Sequence, residues 1–333
     1  MENNKNLQTS VVLATYNGSQ FIKEQLISIY NQTQKVDEVL IFDDKSTDST
    51  VEICEKFINE KEIENWSIHV NENKLGVFCN FLNGILCSKG DVIFFSDQDD
   101  VWLDTKVKIM TDVFFKRLDV LSLTSTFSRF NKDIILNNHV KHPYRNRGGL
   151  KKIELNEFCA FPYYLGMSMA ISKKLIKKID FDNDFFRTID NKKLVHDIFF
   201  NLISTINNGH YHLDKVLTQR RSYSSSVSNL KFKNELIAFN GNKKLYSIDE
   251  KIKHLKKFIK IIEVNKNKTF LNIYLKIIKN TLRVSEIRYN YIQKNNFRLW
   301  IQSIKSLFYY DSILRYFSDG LELIKSKNKV YRK

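Results

Sequence analysis

The first half of the chain alternates short apolar runs with longer segments of helical spacing. Residues 10–14 form a β-branched run that predicts a buried strand. Apolar positions then recur at helical spacing over 21–30, through Phe21, Ile22, Leu26, Ile29 and Tyr30. The alternation continues with a strand at 39–42 and a helix at 47–58 capped by Ser46 or Asp48. A strand at 66–70, a helix at 77–87 stopped near Gly90, and a strand at 91–96 follow. A helix over about 105–117 and a strand over 120–127 complete the series. Such β-α-β units predict an α/β, Rossmann-like and mostly parallel sheet flanked by helices. In these sheets ligands bind beyond the carboxyl ends of the strands, so the residues just after each strand are the first candidates for chemistry.

The pattern breaks over 130–152 into a basic loop with Gly148-Gly149. Helical spacing returns at 172–179 and 194–206, and a strand at 210–218 leads into the polar run 220–228. From Lys231 the chain reads as helices. One apolar stripe contains Ile252, Leu255, Ile259 and Ile262. A second contains Phe297, Trp300, Ile301, Ile304, Leu307 and Phe308.

Charge divides the chain in the same place. The formal net charge of +16 comes from 53 Lys+Arg against 37 Asp+Glu. Residues 1–230 hold 29 basic and 29 acidic residues, whereas 231–333 hold 24 and 8. The sequence therefore predicts a charge-neutral domain over 1–230 and a basic helical region over 231–333. A hydrophobic content of 43% excludes a disordered chain. No apolar run is long enough to predict a membrane-spanning helix, and the polar start predicts no signal peptide. Cys54, Cys79, Cys87 and Cys159 lack metal-binding spacing and are expected reduced, mostly in the core.

Thr15-Tyr16-Asn17-Gly18 follows the first strand, Asp43-Asp44 the second, and Asp97-Gln98-Asp99-Asp100 the fourth. Asp48 reads as a helix cap. Three carboxylates in four residues repel one another unless a cation or hydrogen-bond donors compensate. Hard divalent cations bind through one or two carboxylates together with substrate phosphates.

Taken in order, Thr15-Tyr16-Asn17, Asp43-Asp44-x-Ser46-Thr47-Asp48, Asn73-x-x-Gly76, Asp97-x-Asp99-Asp100-x-Trp102 and His196-Asp197 resemble the family-2 inverting glycosyltransferases of GT-A fold. The string from Ser96 to Trp102 looks like the bacterial branch that builds polysaccharide and lipopolysaccharide repeat units. The resemblance covers roughly residues 9–230. It implies that Thr15 and Tyr16 border the donor nucleotide, with Tyr16 against the base. It implies that Asp44 accepts from a ring N–H of the base, that Asp43 supports that turn, and that Lys74 lies nearby. Asp99 would coordinate Mn²⁺ or Mg²⁺ on the diphosphate, and Asp97 would reach the ribose or the metal's water shell. Asp197 would be the general base. Gly166 and Met167 would form an acceptor-side turn, a tight packing turn being the alternative, and His196 would position Asp197 or touch the acceptor. Relatives carry Tyr-Arg-x-His after the last short strand. Here Arg221 matches the arginine and Tyr223 replaces the histidine, a poorer ligand for a hard cation.

The implied reaction is transfer of a sugar, with inversion, from a nucleotide sugar to a glycan acceptor that is lipid-linked. The expected donor is a UDP- or dTDP-sugar, and the expected location is cytoplasmic, at the inner face of the membrane. A nucleotide-sugar-binding scaffold that has lost catalysis is the alternative, resting on Tyr223. The basic region reads either as a surface for anionic lipid or as a packing and homo-oligomer element. Nucleic-acid binding is not expected, because no nucleic-acid motif accompanies the charge.

Overall fold

The computed structural model describes residues 7–131, 134–136, 149–162, 164–179, 181, 195–222, 242–264, 271–304, 316–321 and 323. Contacts divide the chain into two compact units. The first comprises residues 1–153 and 163–222, and the second residues 154–162 and 223–333.

The first unit is an α/β fold around a sheet in which ten strands are described. Its N-terminal half follows the predicted alternation: β1 (Thr9–Thr15), α1 (Ile22–Tyr30), β2 (Glu38–Asp43), α2 (Thr50–Glu60), β3 (Trp66–Val70), α3 (Val77–Cys87) and β4 (Val92–Asp97). These four strands are mutually parallel in the order β3-β2-β1-β4. After β3 the chain crosses to the other side of β1, so Thr15, Asp43 and Asp97 end adjacent strands at the same edge. The strands hold because their apolar runs are covered: Val11, Leu13, Val39, Ile41, Val92 and Phe94 are buried in one core with Ile22, Leu26 and Phe57 of the helices.

The other half mixes strand directions. It contains β5 (Val101–Trp102), α4 (Lys106–Lys116), β6 (Ser122–Asn131), β7 (Ile134–Leu136), β8 (Leu150–Lys152), β9 (Met169–Ser172), α6 (Lys173–Ile176), α7 (His196–Ile206) and β10 (His210–Arg221). Of the segment expected as a helix over 172–179, Lys173–Ile176 is helical (α6) with Ser172 as its cap, while the preceding strand β9 was not expected. The four residues Met169-Ala170-Ile171-Ser172 are all buried and run antiparallel between β4 and β6. So short an apolar run carries no period of its own, and the neighbouring strands decide its state. Within the segment expected as a basic loop, β7 and β8 pair antiparallel with β6 and β10. Helix α2 begins at Thr50, three residues later than predicted, because the preceding turn is tied to Asp43 and Asn17.

The second unit contains α5 (Leu155–Ala160), α8 (Lys243–Val264), α9 (Leu271–Gln293), α10 (Phe297–Gln302) and helical residues at 316–321. Ile252, Leu255 and Ile262 of the predicted stripe are buried, and Phe258 stacks on Phe158 of α5 at 5.5 Å. Asp319 is buried and accepts from Arg288 Nε at 2.8 Å and Tyr291 Oη at 2.9 Å, with Lys244 Nζ at 2.6 Å. In the second predicted stripe Trp300 stacks on Tyr316, whereas Ile301 and Ile304 are exposed; Leu307 and Phe308 lie outside the described residues. Among the described residues no helix is long and apolar enough to cross a membrane. Cys54 and Cys159 are buried, Cys79 is half-buried and Cys87 is exposed.

Candidate active site at the strand ends

The ends of β1 and β2 are knitted together by side chains. Asp43, fully buried, accepts from Thr15 Oγ1 at 2.7 Å, Ser46 N at 2.7 Å and Ser46 Oγ at 2.6 Å. Asn17, at a φ of 47° where asparagine is tolerated, accepts from Thr47 N at 2.8 Å. Asp48 accepts from Thr50 N at the start of α2. Asp44 is also buried and receives the 71–76 turn, from Leu75 N at 2.6 Å, Gly76 N at 2.9 Å and Asn71 Nδ2 at 3.2 Å. These three donors use both of its oxygens, so Asp44 first fixes the turn that carries Lys74. Tyr16 is exposed, and Lys74 Nζ stands 3.4 Å from the centre of its ring. Gln98, between the two DxD carboxylates, accepts from Tyr16 N at 2.8 Å and donates to Tyr16 O at 3.0 Å. It thereby sets the position of the Tyr16 backbone.

Carboxylates gather at the end of β4. Asp97 and Asp99 are half-buried, and Asp100 is buried with Arg221 N donating to it at 3.0 Å. Burial, followed by the charges of Asp99 and Asp197, pushes Asp97 up to about 7. Burial with Asp99 and Asp97 likewise raises Asp100 well above the usual carboxylate range. Arg220 opposes the rise at Asp97, Asp100 and Asp197. Among the described residues no group of three or more His, Cys, Asp or Glu side chains is placed to hold a metal ion. Two solvent-reaching carboxylates that repel one another are nevertheless the donor set a hard cation takes when phosphate oxygens complete its shell. Asp97 and Asp99 fit that role.

Asp197 lies in the first turn of α7 and is buried. It accepts from Ile198 N at 2.6 Å and from Gly166 N at 3.1 Å, within the 3₁₀ turn Gly166–Ser168. Burial raises it to about 6, against those N–H bonds and Arg220. His196 points the other way, into an aromatic cluster, with ring centres 4.1 Å from Phe81 and 5.6 Å from Phe95. Burial pushes the imidazole down to about 3, so it is neutral, and neither ring nitrogen has a hydrogen-bond partner. A Cβ on Gly166 would stand 2.2 Å from His196 Nε2. Gly166 is therefore required by the approach of His196. Since Phe81 and Phe95 hold the ring, Gly166→Ala should cost about 1–3 kcal/mol in a denaturant melt and lower turnover by moving Asp197.

Met167 is buried, and its carbonyl oxygen faces Lys106 and Thr218. The Arg221 guanidinium is already committed. It pairs with Glu24, donates to Asp99 O at 3.1 Å and lies over the rings of Phe21 and Phe130. The neighbouring Arg220, which the sequence does not single out, is the one whose charge reaches the carboxylates. Tyr223 and the serine run after it lie outside the described residues.

The Glycosyl transferase family 2 model matches residues 10–180, about half of the chain. The chain belongs to glycosyl transferase family 2. Asp197 and Arg220 of this glycosyltransferase lie beyond the matched stretch. A segment of 105 residues is 40% identical to the dTDP-rhamnosyl transferase RfbG of Shigella flexneri, covering 30% of this chain and 36% of that protein. The match to WfaP of Escherichia coli, a UDP-Glc:alpha-D-GlcNAc-diphosphoundecaprenol beta-1,3-glucosyltransferase, is 27% identical over 234 residues, 68% of this chain and 82% of that protein. Among solved structures, S. aureus TarS 1-349 in complex with UDP-GlcNAc superposes with a TM-score of 0.60 at 17% identity, over 98% of this chain and 92% of that one. The mannosyltransferase PcManGT from Pyrobaculum calidifontis, in complex with GDP-Man and Mn²⁺, gives 0.54 at 14% identity, over 77% and 65%. At these identities the structural likeness shows the GT-A fold alone.

Proposed function

We propose that this glycosyltransferase moves a sugar from a UDP- or dTDP-sugar to a hydroxyl of a lipid-linked glycan, inverting the anomeric centre, in the assembly of a bacterial cell-surface polysaccharide. The observation that carries the reading is Asp197. It is a buried carboxylate held by two backbone N–H groups and raised to about 6, in the electrostatic field of Asp97 at the carboxyl end of the sheet. A base poised near neutral pH is what proton abstraction from a sugar hydroxyl requires.

The nucleotide lies over the β1 and β2 ends, with its base against Tyr16 and bordered by Lys74. Asp44 Oδ2, which accepts from Gly76 N, is the oxygen assigned to the ring N–H of the base. The diphosphate reaches Asp97 and Asp99. When bound there, Mn²⁺ or Mg²⁺ supplies Lewis-acid stabilisation of the charge that gathers on the departing diphosphate. Asp197 accepts the proton of the acceptor hydroxyl as its oxygen forms the new bond to the anomeric carbon. The bond from that carbon to the phosphate oxygen breaks, and its electron pair leaves with the nucleoside diphosphate. Arg220 steadies the excess negative charge. Names among the relatives support the donor and acceptor classes: RfbG is a dTDP-rhamnosyl transferase, and WfaP acts on a diphosphoundecaprenol-linked sugar.

The catalytic part spans residues 1–230, and the basic region 231–333 serves the membrane surface that presents such an acceptor. Full-length protein should float with vesicles containing anionic lipid at low salt and stay down with neutral vesicles; no flotation with either removes the membrane role. The function itself is tested by incubating the protein with a panel of nucleotide sugars, Mn²⁺ and diphospholipid-linked sugar acceptors. Donor binding without transfer or hydrolysis across the panel would favour the scaffold reading instead.

A further inference from the structure

Lys106, at the start of α4, is fully buried. A core position that needed only packing takes an apolar side chain, since burying an ammonium is costly unless it is compensated. Here Nζ donates to Met167 O at 2.6 Å and stands 3.8 Å from the centre of the Trp102 ring. Asp100 and Asp97 attract it, while burial pulls it well below the usual lysine range. Thr218 Oγ1 approaches the same carbonyl at 3.3 Å. The turn that carries this carbonyl, Gly166–Ser168, begins with the N–H that holds Asp197.

We infer that Lys106 is a positioning residue for Asp197, tethering the Gly166–Ser168 turn through Met167 O so that the Gly166 N–H keeps the carboxylate aimed at the acceptor hydroxyl. The inference rests on the proposed transferase reading. It links the segment after the carboxylate strand to the base by a path that touches neither substrate. Removing one partner of a buried charged interaction is destabilising, so the effect of Lys106→Met on the chemical step is read in folded protein and beside Thr218→Val, which leaves the ammonium in place.

The test compares wild type, Lys106→Met, Lys106→Gln and Thr218→Val in one transfer assay, with UDP and dTDP affinities and Mn²⁺ activation measured alongside. Wild-type transfer is required first; its absence would count against the proposed function rather than this tether. Lys106→Met should lower kcat about 10²-fold, the cost of a misplacement near 1 Å, without a matching loss of nucleotide affinity or Mn²⁺ activation. Lys106→Gln is one atom shorter but still a donor, and should recover part of that loss. Thr218→Val should lower kcat a few-fold and decides the case if Lys106→Met does not fold. Unchanged kcat in a folded Lys106→Met, or in Thr218→Val if the former fails to fold, overturns the tether. So does a kcat loss matched by an equal loss of nucleotide or Mn²⁺ affinity, which would place the effect at Asp97 and Asp99. Equal activity of the Met and Gln variants overturns it as well, because charge rather than hydrogen-bond donation would then matter.

Discussion

Replacing Asp197 with Asn should lower kcat by about 10²–10⁴-fold, the usual contribution of a positioned base, while donor binding changes little. The wild-type carboxylate accepts two backbone N–H groups and is raised to about 6 by burial. Gly166 N and Ile198 N use different oxygens, so the amide keeps an acceptor for only one of them and has no basic site for the acceptor proton. The stability side has a definite sign. A carboxylate raised in the folded state favours the protonated form, so its contribution to stability is present at acid pH and falls as pH rises through the window from the ordinary range to about 6. Catalysis runs the opposite way, because only the ionised form accepts a proton. Wild-type kcat should therefore rise with pH through about 6 and level off above it, and Asp197→Asn should lack that limb. Near-normal turnover of the variant, or a wild-type profile flat from pH 5 to 8, would remove Asp197 from the base role.

Asp99→Asn should lower activity at sub-saturating Mn²⁺ about 10²-fold, from the loss of roughly 3 kcal/mol of charge stabilisation on the departing diphosphate. It should also shift the Mn²⁺ activation curve to higher concentration, while Asp197→Asn leaves that curve in place. In metal-free protein the same change should raise the melting temperature at neutral pH. After burial, the Asp99 charge is the largest cause raising both Asp97 and Asp100, and removing it relieves that repulsion. Chelation should silence the wild type, and added Mn²⁺ should restore it. An Asp99→Asn variant with wild-type Mn²⁺ response, or a wild type indifferent to chelation, would contradict the assignment.

The parallel half of the sheet was legible because each strand is a buried run followed by its polar turn, so local pattern and tertiary position agree. Tyr16, Asp43, Asp44 and the Asp97–Asp100 cluster could be named from their place after those strands. What escaped the sequence depends on partners far along the chain. Arg220 and Arg221 are adjacent in β10, so the pleat sends them to opposite faces; only the fold reveals that Arg221 is consumed by Glu24 and two aromatic rings while Arg220 meets the carboxylates. Gln98 reads as the unspecified middle of a motif until it is seen to hold the Tyr16 backbone. Lys106 reads as an ordinary helix lysine until its head is found on Met167 O, 61 residues away. His196 looks like a site residue beside Asp197, yet its ring belongs to the aromatic core and dictates Gly166.

The central claim is one displacement at the anomeric carbon with Asp197 as its base. The most direct measurement is the anomeric configuration of the first product, read from its proton coupling by NMR with a donor of known configuration. Inversion is the predicted result. A product that retains the donor's configuration would contradict a single displacement with Asp197 as its base.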